Sequence, residues 1–233
     1  MAVTLLKEET SIVIVGDLNP TIFVPYWFVH NGLMDKEVAD GANVEVIHRD
    51  ICIFQTPEFH LHVDQNRLII KSLGPTPVAI YDLINRTFGE FLIHTNLRAA
   101  GINYQANFRV PNEKSLHDLG DRLAPKEPWG EWGRMLSEPN KSARNPSTRQ
   151  GGLRRIMMEQ SVRPDGKNGL ISMQLEPINN PHGIVMLVND HYAVEENELS
   201  AGSGPLLSLI KDEFDTSINR AKWMMEQITR TVV

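Results

Sequence analysis

Apolar and polar residues alternate with a period of two through several short runs of this chain, and with a helical period near its end. The first run is "SIVIVG", residues 11–16, which is apolar, β-rich and ended by Gly16. "DLNPT" follows with turn chemistry. Residues 21–34 read as a helix or an irregular apolar segment, since Pro25 is comfortable only in a helix's first turn. Three strand-like runs come next, at about 43–54, 58–64 and 67–73. The connections "TPE" and "DQNR" are too short for parallel crossovers and point to antiparallel hairpins. After "GPTP" a helix is expected through about His94, with Thr76 as N-cap and Pro77 in the first position. Ile80, Leu83 or Ile84, Phe88 and Phe91 recur along it at helical spacing. A strand near 101–110 closes this half.

The second half repeats the plan without repeating the residues. A helix at 113–121 and a long loop lead to strand-like runs at about 151–162, 168–177 and 183–193. "RPDGKNG" between the first two is hairpin chemistry, because Asp-Gly and Asn-Gly supply positive-φ turns. From Pro205 onward Leu207, Ile210, Phe214, Ser217, Ala221, Met224 and Ile228 alternate spacings of three and four. That seam marks one face of a helix of about 24 residues, roughly 36 Å long, with small residues at its centre. The pattern predicts an α+β fold: a curved antiparallel sheet, or two joined sheets, with long helices on one face. It has two three-strand-plus-helix halves and ends in a long amphipathic C-terminal helix. The N-terminal half covers 1–112, a helix and basic-loop linker covers 113–150, and the C-terminal half covers 151–233, as one integrated domain.

Composition narrows the function classes. A chain of 233 residues with 41% hydrophobic and 22% charged residues suits a folded domain with a substantial core. A net charge of −6 argues against a generally basic nucleic-acid binder, although a local basic patch is compatible with it. Cys52 is the single cysteine, which excludes an intrachain disulfide framework and a multi-cysteine zinc site. It lies in the apolar run "ICIF" and reads as a buried thiol. No signal peptide or membrane-length apolar run stands out, so the expected location is cytoplasmic.

Four stretches carry candidate chemistry. "EFHLHVD" places Glu58, His60, His62 and Asp64 at every second position, with apolar residues between them. On a strand these four share a face, either as metal ligands or as the wet side of a half-buried strand. The solvated or partner-facing strand is the preferred reading, and no metal or other cofactor is expected. In "VNDHY" Asp190 and His191 point to opposite strand faces, so acid–base work there needs a partner such as His94 or Asp17. "GDLNP" lacks a phosphate-loop glycine pattern, and Asp17 and Asn19 suit turn hydrogen bonding. The fourth stretch, 141–163, collects Lys141, Arg144, Arg149, Arg154, Arg155 and Arg163 against Glu159 alone. Arginine there favours bidentate anion contacts, and Trp129 and Trp132 just upstream offer a stacking surface for a base. "NDHYAVEENELS", with Asp190, Glu195, Glu196 and Glu198, forms an opposite acidic pole suited to head-to-tail self-association.

The helix 77–94 followed by "LRAAGINYQANFRV" is similar to a sporadically distributed family of uncharacterised bacterial proteins. In that family a helix leads to a strand with an arginine-rich "GLRY"-like signature. Here it reads Gly101-Ile102-Asn103-Tyr104, with Ile and Asn where the family's Leu and Arg stand. The resemblance implies a bacterial or phage origin and no particular activity. No nucleophile–base pair, metal-ligand set or cofactor loop emerges, and no catalytic residue is assigned. The expected function is therefore a non-catalytic binding or assembly protein of the bacterial cytoplasm, with a protein partner or self-association and no membrane. The alternatives are nucleic-acid binding through the arginine stretch and metal-assisted hydrolysis on the 58–64 strand.

Overall fold

The computed structural model describes residues 3–143, 148–179 and 182–231, with Asn179 described in its backbone only. Its nine strands are β1 (Thr4–Gly16), β2 (Asn43–His48), β3 (Ile51–Gln55), β4 (Phe59–Asp64), β5 (Arg67–Ser72), β6 (Leu97–Arg109), β7 (Ile156–Gln160), β8 (Gly169–Asn179) and β9 (His182–Ala193). They form one open sheet in the order β2-β3-β4-β5-β1-β6-β9-β8-β7, and every neighbouring pair is antiparallel. The fold is α+β, as the alternation of short strands with helical segments predicts.

Several boundaries differ from the sequence expectation. The run at 43–54 is two strands, turned at Arg49-Asp50, so the N-terminal part supplies six strands where five runs stood in the sequence, and not a three-strand half. The first strand starts at Thr4 rather than residue 11. Its early residues are exposed, Leu5 and Leu6 included, and pairing of Thr4–Glu9 with β6 makes them a strand where alternation could not. Residues 151–155 precede β7 instead of belonging to it.

The helices are α1 (Pro25–His30), α2 (Lys36–Asp40), α3 (Val78–Arg86), α4 (Glu113–Leu123), α5 (Gly130–Ser137) and α6 (Gly204–Thr229). Pro25 occupies the first turn of α1, the place its missing N–H permits. Thr76 does not cap α3: Pro77 holds that position, without a side-chain cap bond. The predicted continuation to His94 becomes one wide π turn, Thr87–Phe91, which keeps Phe88 fully buried and leaves Phe91 at the surface. The Asn112 side chain caps α4 by accepting from the Ser115 N–H at 2.9 Å. Sequence pattern does not announce α5, because its "GEWG" opening contains poor helix formers.

α1, α3, α4 and α6 all pack on one sheet face. Leu206, Ile210, Phe214, Ser217, Ala221 and Met225 of α6 are buried, and the helix lies mainly over β6 and β9. Beneath the N-terminal helices an aromatic chain fills the core. The Phe23 ring centroid lies 6.2 Å from Trp27, 6.4 Å from Phe28 and 6.0 Å from Phe88. Phe28 continues the chain to Phe54 at 6.0 Å. Cys52 is buried in this layer and donates its S–H to the Phe23 carbonyl, and burial raises its thiol pKa.

Candidate functional site

The opposite face of the sheet is uncovered by these helices, and register decides what it displays. Residues paired across an antiparallel ladder share a face. Ser11 pairs with Lys71 and Asn103, Asn103 pairs with Asn189, and Asn189 pairs with Ser172. On one side the row continues from Lys71 to His60, Gln55 and Asn43. On the other it runs from Ser172 to Glu159. One polar residue from each of the nine strands therefore lies on a single line across the open face. An adjacent line is mostly aliphatic, with Ile53, Ile69, Val13 and Leu170 interrupted by His62, Gly101 and His191.

His60 and His62 stand in these lines, half-buried and two residues apart. His60 Nε2 lies 3.7 Å from Glu45. Asp64 is spent on the hairpin, accepting the Asn66 N–H at 2.8 Å, while Glu58 falls in the preceding bend outside β4. Among the described residues no group of three or more His, Cys, Asp and Glu is placed to hold a metal ion. The structure therefore does not draw Glu58, His60, His62 and Asp64 into one site.

Gly101 lies at the centre of the face and leaves room for the Asn189 side chain. A Cβ there would lie 2.7 Å from Oδ1 of Asn189, which folds over the strand at that point. Asn103 donates to the Gly101 carbonyl at 3.3 Å. Oδ1 of Asn189 and Oδ1 of Asn107 are buried on this face without a hydrogen-bond partner among the described residues. Lys71, the row's one lysine, is held 2.9 Å from Glu9, so the middle of the face carries little net charge.

On the covered face Asp190 is buried among charges. Arg163 donates to it and forms a two-pronged contact with Asp165 at 3.0 and 2.6 Å. The same guanidinium donates to the Leu170 and His191 carbonyls at 3.3 and 3.1 Å and lies 4.0 Å from the Tyr192 ring centroid. Arg220 of α6 donates to the other Asp190 oxygen, to Tyr192 at 3.3 Å and to Asp165 at 3.2 Å. Tyr192 and Ser217 share a 2.8 Å hydrogen bond. Burial works against the charge of Arg163, but bonds from Asp165 and Asp190 outweigh it and raise its pKa. His191, on the other face, is held below its ordinary value by burial and then by Arg163. His94 lies exposed and Asp17 pairs with Arg98, so neither is placed as a partner for His191.

The network ties the hairpin between β7 and β8 to the final helix. The first sequence signal for it is "RPDG". Arg220, a polar residue in an amphipathic helix, gives no sign of its partner. Gly169 sits at φ +131, and a Cβ there would lie 2.0 Å from the His191 carbonyl oxygen, so only glycine lets β8 approach β9 at this corner. The Arg163 contact lowers the Asp165 pKa from 3.8 to about 2, against the upward pull of burial. Its folded value lies below its unfolded one, so its stabilisation is present above the unfolded pKa and is lost as pH falls through the folded pKa. Urea unfolding between about pH 5 and pH 2 should show roughly 2 kcal/mol less acid-dependent loss in Asp165→Asn than in the wild type.

The rest of the arginine stretch is largely neutralised. Arg149 pairs with Asp121 at 2.6 Å, and Arg155 pairs with Glu176 at 2.6 Å. Arg163 has no exposed side-chain surface and is unavailable to a nucleic acid. Arg154 is exposed without an ion-pair partner among the described residues, and Arg144 lies outside them. Arg149 and Arg154 line a small cavity against α4 with His117, Asp121 and Lys126. The His117 pKa is held below its ordinary value there by burial and by Arg149, and its Nε2 lies 3.7 Å from Glu113. Trp129 and Trp132 are both more than half exposed and meet edge to face, with Glu127 and Glu131 beside them in sequence. Of the acidic pole, Glu195, Glu196 and Glu198 are exposed, but Asp190 belongs to the buried network. Among the described residues no helix is long and apolar enough to cross a membrane. No protein-family model and no curated protein matches this chain.

Proposed function

We propose that the chain is a non-catalytic binding protein that receives a protein partner on the open face of its sheet. The observation that carries this reading is the polar line of nine residues, one per strand, beside a mostly aliphatic line on the face opposite α1, α3, α4 and α6. Amide, hydroxyl and imidazole groups interleaved with Val and Ile suit the interior of a protein interface, where charged residues are depleted. Neither of these lines contains a Phe, Tyr or Trp side chain, so the large rings on which bases stack are absent from them. Internal pairing of Arg149, Arg155 and Arg163 further weakens the nucleic-acid reading.

The test is affinity capture by the intact protein from its native cell extract, with wild type compared against Ser11→Glu and Val13→Glu. Each variant places bulk and charge at the middle of the face. A specifically captured protein should be lost, with affinity reduced at least about tenfold, while far-UV circular dichroism stays unchanged. Capture of nucleic acid alone, or of a protein retained by both variants, would overturn the proposal.

A further inference from the structure

The sheet has two edge strands, and they differ in a way that points to a partner for one of them. β2 carries a register irregularity between Val44 and Val46, a device that bends an edge and blunts further pairing. β7 is regular against β8, and no described strand pairs with its outer side. It exposes Met157 and Met158, the latter at 72%. These are apolar side chains on a free ladder edge, on both faces at once.

Reading the edge against itself gives a specific register. Met157 lies opposite Gln174 and Glu159 opposite Ser172, so both belong to the open face, and Arg155 joins that side through Glu176. A second antiparallel copy of the strand, placed on a two-fold axis through Met157, puts Arg155 opposite Glu159 of the second copy and Met157 opposite its own equivalent. On the other face Met158 then lies opposite Ile156, and Arg154 opposite Gln160. Gln160 borders a concave surface shared with Pro164, Trp223 and Met224, where the Trp223 ring is 60% exposed. The incoming Arg154, which has no ion-pair partner of its own among the described residues, arrives at the mouth of that groove beside an indole face suited to a cation.

We propose that a second copy of this chain docks along β7 in this register, joining two nine-stranded sheets into one continuous antiparallel sheet. Charge complementarity selects the register: moving the axis to Met158 sets Met157 against Glu159 and Arg155 against Ser161, so that only Glu176 of its own chain remains to Arg155. A two-fold contact is isologous, so the same edge, from Arg154 through β7 to Gln160, supplies both halves of every pair. The proposal does not depend on what the open face binds.

Sedimentation equilibrium of the full chain tests it. The wild type should show a mass twice the 26.3 kDa of the chain at micromolar concentration. Glu159→Arg sets two arginines against two arginines and should weaken the dimer at least tenfold. Met157→Lys, which opposes two lysines on the axis, should do the same. Arg155→Glu should also dissociate alone, yet an equimolar mixture of Arg155→Glu with Glu159→Arg restores both ion pairs and should return to the dimer mass. Monomer mass for the wild type up to millimolar concentration would overturn the proposal, as would a dimer indifferent to Glu159→Arg. So would failure of the mixture to reassociate while both single variants keep the wild-type circular dichroism.

Discussion

Replacing Arg163 with leucine should destabilise the fold by about 3–5 kcal/mol, the scale on which a buried charge loses its partner. The leucine fills part of the space, so the loss reports mainly on Asp190, whose carboxylate is buried to within 1% of its side-chain surface. Arg220 still reaches one oxygen of that carboxylate, which keeps the penalty from rising further. Chemical denaturation midpoints at pH 7 measure the effect. The discriminating comparison is Arg163→Leu combined with Asp190→Asn. Neutralising the stranded acid should recover at least about 1 kcal/mol, because a neutral amide is far cheaper to bury than an unpaired carboxylate. A double variant less stable than Arg163→Leu alone would show that the arginine acts through packing on Tyr192 rather than through charge.

The second large effect is expected at Phe23. Truncation to alanine should cost about 3–5 kcal/mol, through lost transfer free energy and the cavity left among rings that cannot collapse. Phe23 is 1% exposed and touches three other aromatic residues, each fixed by a different neighbour. For a domain of this size that is on the order of 10 °C in melting temperature. Phe23→Leu should cost less than half as much. Equal losses for alanine and leucine would show that ring geometry, rather than volume, sets the stability of this layer.

Local chemistry made much of this fold legible. The period-two runs at 58–64, 67–73 and 183–193 are strands because each buries one side, and α6 follows the three–four spacing of its apolar residues. Polar alternation fails where long-range pairing makes the strand, as at Thr4–Glu9, and a turn that holds neither glycine nor proline goes unread, as at Arg49-Asp50. The candidate site was visible only in fragments. His60 and His62 read correctly as residues sharing one face of a strand. Their companions Ser11, Asn103 and Asn189 come from strands far apart in sequence, and only cross-strand register aligns them. Arg163 shows the reverse: its residue type suggests an exposed anion contact, while burial between Asp165 and Asp190 makes it a structural cation.

The central position of β1 also constrains how the chain is made. Val13 pairs with Ile69 on one side and Gly101 on the other, so both neighbours are synthesised after it. Between the appearance of Gly16 and that of Arg67, roughly 3–10 s at ~5–20 residues per second, "SIVIVG" has both ladder edges unpaired. An apolar β-prone segment in that condition is a template for association with other nascent chains. Lys7, Glu8 and Glu9, immediately before it, supply the flanking charge that discourages such stacking. The salt bridges they make in the finished sheet are thus a second use of residues already needed while the strand waits for its partners.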